Sequence, residues 1–132
     1  MAERVVPPSD SQRPLSPRLS VYRWHMTMIA SLAHRGSGMV LVAFMVFYFF
    51  MLSLMMGTPE QFEYSVSILH SGFGRLLLLG GSVALVYHLI NGVRFLLLDA
   101  GFGESRQAMR FSARLVLAVT ALAALLIGWS LL

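Results

Sequence analysis

The stretch LLLLGGSVALVYHLINGV, Leu76 to Val93, contains no Asp, Glu, Lys or Arg. That is close to the length that crosses the hydrocarbon core of a bilayer as a helix. In lipid each backbone amide needs an internal partner, so a helix is the form such a run takes. Toward its end sits His88, the one side chain in the run that titrates near neutral pH. An ionisable group within a span is costly and points to function. Neutral imidazole is also the commonest protein ligand for metals, haem iron included.

Two further runs have the same character, Gly36 to Met56 and Leu115 to Leu132. They explain a chain of 132 residues that is 57% hydrophobic and only 12% charged, about half the charged fraction of an ordinary soluble domain. The expected fold is an all-α membrane protein with three transmembrane helices, spanning about 30–56, 73–98 and 112–132. An N-terminal tail and interfacial segment, 1–27, precedes this anchor domain of 28–132. Three helices leave little room for a water-filled core, so partners are expected.

All ten basic residues are arginines. Arg4, Arg13, Arg18, Arg23 and Arg35 precede the first span, and Arg94, Arg106, Arg110 and Arg114 flank the second loop. The first loop carries Glu60 and Glu63 and no basic residue before Arg75. Basic residues stay on the cytoplasmic side, which predicts a cytoplasmic N-terminus and a periplasmic C-terminus. The pI near 10.4 reflects this asymmetry and not nucleic-acid binding, because no basic stripe interleaves with exposed aromatics. Without cysteine the chain holds no disulfide, iron–sulfur cluster or thiolate-ligated haem of its own. The first apolar run starts too late and is too long for a secretory signal, and Glu3 and Asp10 make a poor transit peptide. A bacterial inner membrane is the simplest compartment.

Pro7-Pro8 and Arg13-Pro14-Leu15-Ser16-Pro17 read as irregular and extended. Tyr22-Arg23-Trp24-His25 suits the headgroup layer. Thr58-Pro59-Glu60 reads as a helix start, with a hydroxyl cap, proline at the first position and acid in the first turn. Phe62, Val66 and Leu69 then make one face of a short amphipathic helix on the outer surface. Gly72 and Gly74 punctuate its end, and Gly101 and Gly103 mark the inner loop after Asp99. Ala118, Ala121, Ala124 and Gly128 offer a small-residue face for close packing.

Gly81, Ala84, His88 and Gly92 fall on one helix face. That face is nearly bare around an imidazole, as a flat ligand such as a porphyrin requires. It equally suits a second helix approaching closely, with His88 bonded only to that helix. Bis-histidine ligation needs a second histidine at equal depth. His34 adjoins Arg35 at the inner boundary, whereas His88 is six residues inward of Arg94, roughly 9 Å at the helical rise. A second axial ligand is therefore expected from another subunit. Ser31, His34 and Arg35 gather where the first span begins. Hydroxyl and guanidinium can bond a quinone carbonyl and the oxyanion formed on its reduction, and guanidinium pairs with haem propionates. The plain alternative is a basic anchor with a capping serine. Arg94 is a further candidate for the propionates, or it snorkels to the headgroups. The nine methionines read as flexible apolar filling.

Three blocks together resemble the cytochrome b subunit family of succinate dehydrogenase, the larger of that enzyme's two small membrane anchors. Arg13-Pro14-Leu15-Ser16-Pro17 with Tyr22-Arg23-Trp24 is the first. Ser31-Leu32-Ala33-His34-Arg35-Gly36-Ser37-Gly38 is similar to the family's serine-x-x-histidine-arginine-x-serine/threonine-glycine signature. His88 to Asp99 is similar to its histidine-x-x-x-glycine-isoleucine/valine-arginine block ending in aspartate. The resemblance implies an anchor that shares haem b with a second anchor subunit, beneath an iron–sulfur subunit and a flavoprotein. It implies His88 as an axial ligand of the haem iron, Ser31 and Arg35 at the ubiquinone site, and His34 and Arg35 near the propionates. It implies no complete active site in this chain. Many members carry a second histidine after the arginine of the third block, where this chain has Phe95. The alternatives are a quinol:fumarate reductase anchor, or a structural membrane adaptor without cofactor.

Overall fold

The computed structural model describes residues 24–131. The proline-rich tail and Tyr22-Arg23 lie outside the described residues. Four helices follow in order: α1 (Met26–Met55), α2 (Pro59–His70), α3 (Gly72–Asp99) and α4 (Arg106–Leu131). Among the described residues α1, α3 and α4 are the helices long and apolar enough to cross a membrane. At 1.5 Å per residue each is about 39–45 Å long, more than the ~30 Å hydrocarbon core, so their ends reach the headgroup layers. α4 begins at Arg106, ahead of the apolar run, so its first turns carry Arg110 and Arg114.

The helix boundaries follow from local chemistry. The Gln61 amide N–H donates to Thr58 Oγ1 at 3.4 Å, and the Thr58 N–H donates to Gln61 Oε1 at 3.0 Å. This is a reciprocal capping box with Pro59 just inside it, so the start of α2 has more support than the hydroxyl cap alone. Hydrogen bonding from Thr58 and the local backbone holds the Glu60 carboxyl below its ordinary pKa. A depressed carboxylate pKa supports this helix start above the unfolded value, and the support fades as pH falls through the folded one. Ser71 ends α2 and caps α3, its hydroxyl accepting from the Gly74 N–H at 3.0 Å. A Cβ at Gly74 would strike the Ile68 carbonyl and Leu69 Cα, so the sharp α2–α3 corner needs glycine there. Gly101 and Gly103 adopt φ of +85° and +77°, the left-handed region that glycine enters without a Cβ penalty.

α2 packs against α1 and α3. The amphipathic stripe is only partly turned inward: Val66 and Leu69 are half-buried, but Phe62 is exposed. Ser65, which apolar periodicity passes over, is fully buried and satisfies its hydroxyl on the Phe62 carbonyl at 2.7 Å.

α3 is the central element. Its partners on α1 run backward as its own numbers rise: Phe44 meets Gly81, Gly38 meets His88, and His34 meets Gly92. The pair is therefore antiparallel. α4 runs back again, with Ser112 against Arg94 and Gly128 beside Leu79. On α4 the buried positions are Ala113, Val116 and Thr120. Ala118 and Ala121 stay exposed, while Ala124 and Gly128 are half-buried, so the small-residue face enters the bundle only along one edge.

A polar network ties the three spans together. Tyr87 Oη and Asn91 Nδ2 both donate to the Ala30 carbonyl of α1, at 2.8 and 3.1 Å. Arg94 Nη1 donates to Asn91 Oδ1 at 3.4 Å, Nε to Ser112 Oγ at 2.9 Å, and Nη2 to the Met109 carbonyl of α4 at 3.2 Å. Asn91 is fully buried and Arg94 nearly so. Asn91→Ala removes both its bonds and leaves Arg94 one acceptor short. The expected loss is about 1–3 kcal/mol, nearer the lower figure for a bond between membrane helices. Thermal unfolding in detergent checks this, and an unchanged midpoint would remove the network from the stability of the fold.

Candidate functional site

The bare face of α3 turns out to be its packing face toward α1. A Cβ on Gly81 would lie 2.5 Å from the Phe44 ring, and one on Gly92 would lie 3.4 Å from His34 Nε2. Ala84 is buried. The expected clearance for a flat ligand along this face is thus filled by α1 within the chain. Of the two readings the small residues allow, close helix approach is the one that accounts for Gly81 and Ala84.

The same approach brings His34 and His88 together. Their rings stack with centroids 4.0 Å apart and planes 10° from parallel. The expected difference in depth is overturned. It rested on Arg94 marking the membrane boundary on α3, but the Arg94 guanidinium is enclosed between helices and bonded to α4. It does not snorkel to the headgroups, and three of its donors are spent inside the bundle. Phe95, at the position of the missing second histidine, sets its ring edge-on to His34 at a centroid distance of 5.2 Å. The Arg94 Cζ lies 5.4 Å from the centre of that ring.

Parallel stacked rings aim their in-plane lone pairs side by side, so His34 and His88 would not both hold one metal ion. The two histidines also differ. His88 Nδ1 is within hydrogen-bond distance of Ser37 Oγ (3.1 Å) and the His34 carbonyl (3.2 Å), both on α1. Its Nε2 bonds to nothing among the described residues and is not buried. His34 Nε2 is buried without a partner, an omission that ordinarily costs about 1–3 kcal/mol. A Cβ on Gly38 would stand 3.3 Å from His88 Cε1, so glycine lets α1 pass close over the ring.

Ser31 is half-buried and Arg35 exposed, one turn apart on α1. That spacing puts them on the same side of the helix. Arg35 forms no ion pair among the described residues. An apolar groove of about 480 Å³ between α3 and α4 is lined by Ile90, Val93, Leu97, Phe111 and Val119 among others. It lies across α3 from His88, so it belongs to neither cluster. Among the described residues no group of three or more His, Cys, Asp or Glu could hold a metal ion. Within the α1–α3 cluster, His88 is the imidazole held through one ring nitrogen, with its other nitrogen forming no hydrogen bond among the described residues.

The profile of succinate dehydrogenase/fumarate reductase transmembrane subunits matches residues 9–127. The cytochrome b556 subunit of succinate dehydrogenase from Paracoccus denitrificans is 39% identical over 86% of this chain and 88% of its own length. The cytochrome b556 subunit from Coxiella burnetii is 32% identical over 90% of this chain and 96% of its own. The mitochondrial cytochrome b560 subunit from Mus musculus is 36% identical over 72% of this chain and 57% of its own length. With three membrane-spanning helices and these relatives, the chain is a multi-pass membrane protein that belongs to the family of succinate dehydrogenase/fumarate reductase transmembrane subunits, among the cytochrome b subunits of succinate dehydrogenase.

Proposed function

We propose that this chain binds haem b jointly with a second membrane anchor and helps form the ubiquinone-reduction site of succinate dehydrogenase. The observation that carries the reading is His88, whose Nδ1 is tied to α1 while Nε2 stays free. Metal-bound histidines are commonly held in this way through their other nitrogen. The residues fit a haem: His88 Nε2 would ligate the iron, and His34 and the Arg35 guanidinium would lie toward the propionates. When bound, the haem supplies one-electron redox chemistry. The other axial ligand would come from the second anchor, because the stacked geometry disqualifies His34.

Ser31 and Arg35 would receive the quinone. The hydroxyl and the guanidinium donate to a carbonyl oxygen and hold the negative charge that grows there on reduction. Succinate would be oxidised on a flavoprotein, with electrons arriving through an iron–sulfur subunit. With the N-terminus cytoplasmic, Ser31 and Arg35 stand at the end of α1 nearest those soluble subunits. Proton donors and the rest of the quinone pocket would come from partners. The membrane would be the bacterial inner membrane, with Leu132 toward the periplasm and lipid against the exposed apolar faces.

Purification in mild detergent tests the reading. The expected result is a stoichiometric complex with a flavoprotein and an iron–sulfur protein, showing a b-type haem spectrum that is reduced by added succinate. A complex that reduces fumarate with quinol faster than it oxidises succinate would favour the fumarate reductase anchor. A complex without haem would leave a structural adaptor.

A further inference from the structure

Ser37 has no role in the scheme above, yet it is buried and lies between the two histidines. Its hydroxyl donates to the His34 carbonyl at 2.8 Å, within its own helix. That bond uses its only proton, so toward His88 Nδ1, 3.1 Å away, Ser37 Oγ can only accept. The second neighbour of Nδ1, the His34 carbonyl oxygen at 3.2 Å, never donates. A bare Nδ1 would put lone pair against lone pair at that oxygen. The proton of neutral His88 therefore sits on Nδ1, shared between two acceptors on α1, and the lone pair is on Nε2.

We infer that Ser37 is a positioning residue for His88: its Oγ accepts from Nδ1–H, selects the tautomer with a free Nε2, and strengthens that nitrogen as a donor to iron. The inference rests on His88 being the axial ligand. A hydrogen bond from Nδ1–H shifts electron density toward Nε2, which favours the oxidised iron. Ser37→Ala takes away one acceptor and also frees the ring to turn about its last torsion. The Gly38 contact and the stacked His34 ring still bound the space, so the ring stays in place but less firmly oriented.

The test uses the whole detergent-purified complex with three readouts: the haem midpoint potential, the low-spin ferric EPR signature, and the rate of haem loss to excess apomyoglobin. Ser37→Ala is expected to raise the potential, shift the EPR signature, and speed haem loss about ten-fold or more, as for other residues that support a metal-bound histidine. Ser37→Thr, which keeps the hydroxyl, should restore all three. If the alanine variant fails to assemble, Ser37→Cys reads the same quantities, because a thiol is a much weaker acceptor. Wild-type potential, EPR and haem loss in an acceptor-deficient variant, beside a His88→Ala complex without haem, overturn the role of Ser37 and leave ligation intact. A His88→Ala complex that keeps its haem overturns ligation itself, and the inference with it.

Discussion

His88→Ala is expected to remove the b-type haem absorption of the purified complex. His88 Nε2 forms no hydrogen bond among the described residues while Nδ1 is tied to α1, and alanine offers no donor atom. His34 gives the control. It stacks on His88 at 4.0 Å, so a ligand could be assigned to either ring on proximity alone. Only His88, however, is held through its Nδ1 by acceptors on α1, which leaves its Nε2 for the iron. His34→Ala should therefore keep most of the haem, losing a propionate contact and a ring contact worth about 0.5–1.5 kcal/mol. The two variants are compared by the haem-to-flavin ratio and the reduced-minus-oxidised spectrum. Exogenous imidazole should restore part of the band in His88→Ala only. An unchanged spectrum in His88→Ala removes this ring from the haem.

Arg35→Ala is expected to lower kcat/KM for ubiquinone about 100-fold, the scale seen when one donor to a developing oxyanion is removed, or ~3 kcal/mol of transition-state stabilisation. Succinate oxidation measured with a soluble dye should stay at the wild-type rate, because the proposed flavin site would lie in another subunit. Arg35→Lys keeps the charge but loses the planar fork, and should fall between the two. Ser31→Ala should move in the same direction by less, since a neutral hydroxyl contributes less than a charged donor. Near-wild-type quinone turnover in Arg35→Ala would return this residue to a plain basic anchor.

Much of the fold was legible in the sequence because its causes are local. An uncharged run of about twenty residues must be helical in lipid, and Thr58, Pro59, Gly74, Gly101 and Gly103 punctuate the helices through chemistry confined to a few neighbours. The same holds for Ser31 and Arg35, whose spacing alone places them on one side of α1. The Gln61 half of the capping box is equally local, three residues from Thr58, and completes the helix start that the hydroxyl and the proline already signal.

What tertiary structure decided concerns the rotation and height of one helix against the next. Periodicity marks which residues share a face, but it says neither what the face meets nor at what depth. Gly81 and Ala84 suit a flat ligand or a close helix alike, and Phe44 and α1 decide for the helix. Arg94 read as a boundary marker until Ser112 and Met109 of α4 enclosed it, and with that boundary gone His34 and His88 could stand at one level. Ser37 is the clearest case: within its own helix it is a serine bonded to the carbonyl three residues back. Only the antiparallel docking of α3 brings His88 to its remaining lone pairs. The sequence by itself determines the spans and the residue types they carry, because both depend on short-range hydrogen bonding and on transfer into lipid. Which nitrogen is left free depends on contacts between residues more than fifty positions apart, and packing alone sets those.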